Sequence, residues 1–326
     1  MKKIYKKKQI MEDLEFVGSI QKRSDLNPRE KVCVVKEGLM TTSTMNMAIE
    51  KKTEIEGSFA VDTFEFKRAV SNCSEDIYLE VNKHRLTLKS GKVRMFINIR
   101  STDNISKIKY DRQTDSIKSG KKFLSAVSKG GLFADANHDN PICNTVYCSG
   151  RIIQSTDRIN AIQAVSPYNL PTMHLSKKIV EVLAKIKLDA SGVGVSDNSV
   201  TFYDKNGSKV KCLQIECRYP DLNHIVDCSE YSTPVDDIFY DDIKLVSDAS
   251  GNNLITIGGG SISSEGSAMN VKSETDLSFE EVVLNSSHIL KLRSLATDFE
   301  FLEGLRPVYF KGKRVRGALA RFTVSS

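Results

Sequence analysis

One unit of secondary structure recurs three times along this chain, and the interval between copies limits the folds open to it. The second copy is the clearest. In LSKKIVEVLAKIKL, Ile179, Val182, Leu183 and Ile186 fall at i, i+3, i+4 and i+7 and form one apolar stripe, with Lys177, Lys178 and Glu181 opposite. Strands follow: Val193 and Val195, then Val200 and Phe202, then Val210 and Cys212 running into Leu213 and Ile215. They alternate around turns at Asp197-Asn198 and Asn206-Gly207. The first copy starts at Asp62-Thr63-Phe64-Glu65, with the spacing of a capping box, and continues into Ile77-Leu79-Val81, Leu86-Leu88 and Val93-Met95-Ile97. The third starts at Leu284-Asn285-Ser286, runs helically through Ile289, Leu290, Leu292 and Leu295, and ends in Pro307 to Phe310, a Lys311-Gly312 turn and a strand from Ala318 to Val324. The helix starts lie about 110 residues apart, the size of a domain and far longer than a solenoid repeat.

A second helix accompanies each copy. Ile10, Leu14 and Val17 mark one, Phe123, Leu124 and Val127 another, and the segment Asp237 to Val246 the third. The expected fold is therefore α+β: three similar domains, each with two helices and antiparallel strands, over 1–112, 113–229 and 230–326. Linkers are expected within Ile105 to Gly120 and Cys228 to Pro234. A chain of 326 residues with 40% hydrophobic content is long for one core and suits several modest ones. The basic start, Met1 to Lys8, leads into an amphipathic helix and not an apolar run, so no signal peptide is expected. No window approaches the roughly twenty apolar residues of a membrane span. The seven cysteines stand singly, and the five-residue offset of Cys143/Cys148 and of Cys212/Cys217 turns each pair to opposite strand faces. Reduced, buried thiols in a cytoplasmic protein are the expectation.

Enzyme chemistry finds little support. His84, His138, His174, His224 and His288 lie far apart and share no ligand spacing with one another or with cysteine. Asp236-Asp237 and Asp241-Asp242 could hold a divalent cation, or serve as ordinary acids near a helix start. Ser191-Gly192-Val193-Gly194 follows a helix, the wrong order for a phosphate loop, and reads as a helix stop and turn. No metal or cofactor is expected. What stands out is a set of basic residues on predicted helices: Lys67, Arg68, Lys121, Lys122, Lys129, Lys177, Lys178, Lys185, Lys244, Lys291 and Arg293. With a net charge of +6, they suit contact with phosphates. With 7% aromatic residues and no tryptophan there is no base-stacking platform, so sequence-independent duplex binding is the expectation.

Ser155-Thr156-Asp157-Arg158-Ile159, followed after the helix and meander by Arg218-Tyr219-Pro220-Asp221, resembles the bacterial-type DNA polymerase sliding clamp. The motif-level resemblance lies in the second domain; elsewhere it is one of pattern. It implies a clamp fold in which helices line a hole and strands form an outer layer, with two subunits closing head to tail. It also implies a non-catalytic processivity factor whose partners are double-stranded DNA, a DNA polymerase, a clamp loader and a second copy of itself. The working place would be the cytoplasm of a bacterial cell or phage-infected host, and the short, basic chain points to a phage or mobile-element version. Carried over residue by residue, Thr156, Arg158 and Ile159 match the family's Thr-Asp-Gly-His-Arg-Leu stretch with one residue missing and no glycine. Val226, Phe322 and Val324 complete the expected peptide pocket, Phe322-Thr323-Val324 replacing the usual Met-Pro-Met tail. Ile159, Val226 and Phe322 can equally be core. The expected dimer interface joins Met95, Phe96 and Ile97 to Leu245 and Val246. The rival readings are a nucleic-acid-binding protein that does not encircle its ligand, and a metal-dependent nuclease or hydrolase using the acidic clusters.

Overall fold

The computed structural model describes residues 3–22, 24, 27–100, 108–266, 269–304 and 306–323. Its helices are α1 (Lys7–Val17), α2 (Thr63–Ser71), α3 (Gly120–Gly130), α4 (Pro141–Asn144), α5 (Lys177–Lys185), α6 (Asn223–Val226), α7 (Asp237–Ser250) and α8 (Ser286–Leu290). The expected helices are present; α1 packs on α2 and α7 on α8, each pair accompanied by antiparallel strands. Capping explains where several begin. Asp62 Oδ1 accepts from the backbone N–H groups of Phe64 (2.9 Å) and Glu65 (3.1 Å) and starts α2. Asp236 caps α7 in the same way, and that helix ends at Gly251, whose φ of 66° is the usual helix-stopping conformation.

The strands are shared between repeats. An eight-stranded sheet takes Phe59–Asp62, Val32–Lys36, Leu39–Ser43 and Met47–Lys52 from the first repeat and Lys209–Leu213, Ser199–Asp204, Ala190–Val195 and Asp115–Ser116 from the second. The seam is the antiparallel ladder that pairs Val210 with Ile49 and Cys212 with Met47. A six-stranded sheet joins the second and third repeats: Ala161–Ser176 lies beside Val315–Leu319, with Ile162 opposite Gly317. Two four-stranded sheets remain. One ends at the edge strand Val93–Asn98 and the other at the edge strand Asn270–Glu274. By contact the chain forms two compact units, Met1–Leu124 with Lys178–Ile215 and Ser125–Lys177 with Glu216–Ser326, which follow the shared sheets and cut through the second sequence repeat.

Each unit has its own core. In the first, Ile10, Leu14 and Val17 of α1 are buried as their spacing requires, Phe59 meets Phe66 edge-on, and Phe123 packs on Phe202. In the second, Phe299 is the hub of an aromatic cluster that includes Phe239, Phe301 and Phe310. The seven cysteines are free, five of them buried.

Several expectations change. The third copy's second helix stops at Leu290, and 291–295 form turns, so Arg293 is not helical and Lys291 is the C-cap residue. The last strand ends at Leu319; Phe322 makes an isolated bridge to Val283, and Val324 lies outside the described residues. Part of the first expected linker, 105–107, is also outside them, while the second contains a short strand, Thr233–Pro234. Cys143 to Ser149 and Ile152 to Ser155 read in the sequence as two strands; instead Cys143 belongs to α4, and a single long strand, Thr145–Thr156, follows.

Gly192 and Gly194 are not a helix stop but lie inside the strand Ala190–Val195. A strap from 108 to 116 crosses them: a Cβ at Gly194 would sit 2.3 Å from the Arg112 carbonyl oxygen, and one at Gly192 would sit 2.1 Å from Gln113 Nε2. The strap is pinned by Asp111, which accepts from Ser199 Oγ (2.9 Å) and Thr201 Oγ1 (2.8 Å) and lies 3.5 Å from Lys211 Nζ. Burial alone would raise the Asp111 carboxyl, but the hydroxyl donors and Lys211 outweigh it and hold the pKa below its ordinary value. Gly194→Ala is therefore expected to cost about 1–3 kcal/mol, because the added methyl meets backbone that cannot move freely. An unchanged chemical-denaturation midpoint would show that the strap does not pack there in solution.

Candidate functional site

The motif Thr156-Asp157-Arg158-Ile159 forms the tight turn between the strands Thr145–Thr156 and Ala161–Ser176. Thr156 Oγ1 donates to the Asn160 carbonyl (2.7 Å) and accepts from Arg158 N–H (3.0 Å); Asp157 Oδ1 accepts from Ile159 N–H (2.9 Å). Arg158 takes φ 78°, a left-handed conformation that suits glycine. Ile159 is 53% exposed at the tip.

Asn160 ties this turn to the rest of its unit. Its Nδ2 donates to Asp157 Oδ2 (2.8 Å) and contacts His288 Nδ1 (2.9 Å), and its Oδ1 accepts from Ala320 N–H (3.3 Å). The carboxylate and the backbone donor together orient the amide, so His288 must present an unprotonated Nδ1. Burial lowers the His288 pKa, with Asp157 pulling the other way. The C-terminal segment is held close by: Phe322 N–H donates to the Val283 carbonyl (2.9 Å), and the Arg321 guanidinium donates to the carbonyls of Leu302 and Gly304.

The second motif, Arg218-Tyr219-Pro220-Asp221, is anchored to the same hairpin. Tyr219 stacks on Tyr147 with centroids 5.0 Å apart, and the Pro220 carbonyl accepts from Gln154 Nε2 (3.3 Å). Asp221 accepts from Asn223 N–H (2.9 Å) and so shapes α6. Val226 is fully buried against Ala161 and Leu222 and is core, whereas its neighbour Ile225 is exposed. A four-residue helix preceded by a proline motif gives no periodicity from which to tell those two apart. Of the expected pocket, Thr156 and Arg158 build the turn, Ile159 is on the surface and Phe322 is half-buried.

The basic residues divide. Arg68, Lys121, Lys122, Lys178, Lys185, Lys244 and Lys291 are exposed. Lys67 lies 3.4 Å from Glu15, Lys129 is partly buried, and Lys177 Nζ donates to the Gly131 carbonyl (2.7 Å). Arg293 is committed to Asp237 (3.1 Å) and Asp241 (2.7 Å), so these acids have a structural partner. Among the described residues no three His, Cys, Asp or Glu side chains converge as a metal site would require. At the expected dimer surface Phe96 is 59% and Leu245 61% exposed, whereas Ile97 and Val246 are buried in their own cores and cannot face a partner. Met95 is partly buried.

No protein-family model matches the chain, and no curated protein matches it in sequence. Solved structures do. A DNA polymerase sliding clamp from Caulobacter crescentus aligns with a TM-score of 0.85 over 99% of this chain and 100% of its own, at 15% identity. The fold is that of the bacterial β sliding clamp. The DNA polymerase III β subunit of Pseudomonas aeruginosa aligns with a TM-score of 0.85 over 99% of this chain and 100% of its own, at 11% identity. The Helicobacter pylori β clamp, solved with a DNA ligase peptide, does so with a TM-score of 0.82 and the same coverage, at 16% identity.

Two outcomes are expected at the turn. Arg158→Gly should raise stability by about 1 kcal/mol by relieving the left-handed backbone, and a lowered midpoint would show that the Arg158 side chain contributes more than its backbone costs. Because the His288 pKa lies below its ordinary value of 6.5, the stability this group contributes is complete above pH 6.5 and is lost as pH falls through the folded-state value. His288→Gln should flatten that part of the stability profile; an unchanged profile would mean that His288 does not titrate against the fold.

Proposed function

We propose that this protein is a DNA sliding clamp: a non-catalytic ring subunit that encircles duplex DNA and tethers a polymerase. The observation that carries the reading is the distribution of sheets, combined with an alignment to sliding clamps along nearly the whole chain. Neighbouring repeats share sheets through edge-to-edge ladders, and the chain ends with two half-sized sheets, one at each end of the series. Their open edges, Val93–Asn98 and Asn270–Glu274, are the kind of strand that proteins cover or pair. Pairing the first edge with the second edge of another copy repeats the seam already used twice within the chain. A head-to-tail contact of this kind closes into a ring. Phe96, with the Arg85 guanidinium 5.3 Å from its ring centroid, and Leu245 supply the apolar part of the contact, while Arg94 on one edge and Glu274 on the other supply complementary charge.

In this reading the clamp domains are 1–112, 113–229 and 230–326. The exposed lysines and arginine on α2, α3, α5 and α7 meet phosphates through counterion release, without reading bases. Lys177 and Arg293, already bonded within the chain, are left out of that set. The turn at Thr156 to Asn160, Ile225 and Phe322 form the surface for short peptides of polymerase and loader. The ring works in the cytoplasm of a bacterial cell or phage-infected host.

Retention on DNA tests encirclement. The protein should stay on circular duplex and be lost on linearisation, whereas equal retention on both forms favours a binder that does not encircle its ligand. Phe96→Asp should weaken self-association by about two orders of magnitude, since burying such a side chain is worth about 1.5–3 kcal/mol and a charge there adds a desolvation cost. Sedimentation that leaves the oligomer intact would remove this edge from the interface.

A further inference from the structure

Three polar side chains stand in one row across neighbouring strands of the six-stranded sheet. Gln154 in Thr145–Thr156 lies opposite Gln163 in Ala161–Ser176, and Gln163 lies opposite Arg316 in Val315–Leu319, so all three share a face. Both glutamines are buried, at 4% exposure each, and Arg316 is partly buried. The row is hydrogen-bonded from end to end. Arg316 Nε donates to Gln163 Oε1 (3.1 Å), Gln163 Nε2 to Gln154 Oε1 (2.8 Å), and Gln154 Nε2 to the Pro220 carbonyl (3.3 Å). A guanidinium only donates and a carbonyl only accepts, so each amide between them has a single orientation.

The remaining donors of the row go to α6. Gln163 Nε2 also donates to Asn223 Oδ1 (3.1 Å), Arg316 Nη2 donates to the same oxygen (3.3 Å), and Arg316 Nη1 donates to Asp227 Oδ1 (2.8 Å). One guanidinium therefore holds the first residue of α6 and the residue just beyond its last. The helix needs such ties, because four residues are too few to be stable alone. It has no side-chain N-cap bond, and its buried apolar anchors are Leu222 and Val226 against Ala161. Ile225, between the two tied ends, is 39% exposed. Two buried amides add little net stability over apolar residues of their size, but a fully satisfied network specifies one geometry.

We infer that Arg316 is a positioning residue: through this row it fixes α6 so that Ile225 is presented to the bound peptide. The inference rests on the peptide surface proposed above and names what sets its shape.

The test uses the full chain and, as probe, the DNA ligase peptide solved with the Helicobacter pylori β clamp. Arg316→Met keeps a stem of similar length and removes the donors; Arg316→Lys keeps the charge beside Asp227 but cannot fork to three acceptors. In both, hydrogen exchange at the Ile225 and Val226 amides, which donate to the Leu222 carbonyl, should rise about tenfold, while the ladder between Ala161–Ser176 and Val315–Leu319 keeps its protection. Peptide affinity should fall roughly tenfold in each variant, and Arg316→Met added to Ile225→Ala should cause no further loss, because Arg316 acts through Ile225. If Arg316→Met does not fold, Arg316→Lys carries both measurements. Unchanged exchange in α6, full peptide affinity in Arg316→Lys, or an equal loss from the Arg316 change with and without Ile225→Ala overturns the inference. Failure of the unaltered protein to bind the peptide, with α6 exchange still dependent on Arg316, would instead reject the peptide surface and leave the tether.

Discussion

Backbone hydrogen bonding between strands far apart in sequence is the interaction on which the rest of this molecule depends. Met47–Lys52 pairs with Lys209–Leu213, and Ala161–Ser176 with Val315–Leu319, so each seam is a run of main-chain bonds and not a side-chain interface. A repeat built this way cannot satisfy its own edge strands and needs its neighbour to do so. The same requirement leaves edge strands such as Val93–Asn98 and Asn270–Glu274 over at the ends of the series, and the proposed ring is the simplest way to pair these two.

The seams also explain why the compact units ignore the sequence repeat. Contacts concentrate where sheets are shared, and the second repeat contributes one sheet to each side. Its long hairpin, Thr145–Thr156 and Ala161–Ser176, carries the turn bearing Ile159, and the Arg-Tyr-Pro-Asp segment anchors to it through Tyr147 and Gln154. Asn160 adds the C-terminal segment and α8 to that assembly. The candidate peptide surface is therefore positioned by ladder geometry and one buried amide, which makes its shape dependent on stability elsewhere in the unit.

Much of the fold was legible in the sequence because local chemistry and tertiary structure agree there. Asp62 caps α2, Asn206-Gly207 turns a hairpin, and the stripe containing Ile179 and Leu183 is buried. What escaped notice depends on partners distant in sequence. Pro167 and Pro171 argue against a central strand, yet beyond Val165 Ala161–Ser176 is an edge, where proline is tolerated. Gly192 and Gly194 looked like punctuation; their reason is a strap from 108 to 116. The motif at Thr156 lies on a turn between two long strands, but no periodicity told buried Val226 from exposed Ile225. Charge alone could not foresee that Arg293 is held by two aspartates or Lys177 by a carbonyl.

The most direct test of the central claim is the mass of the full chain in solution together with projection images of the same particles. The account predicts a two-chain particle with a central hole wide enough for duplex DNA. A monomer at micromolar concentration, or a two-chain particle without a hole, would contradict it.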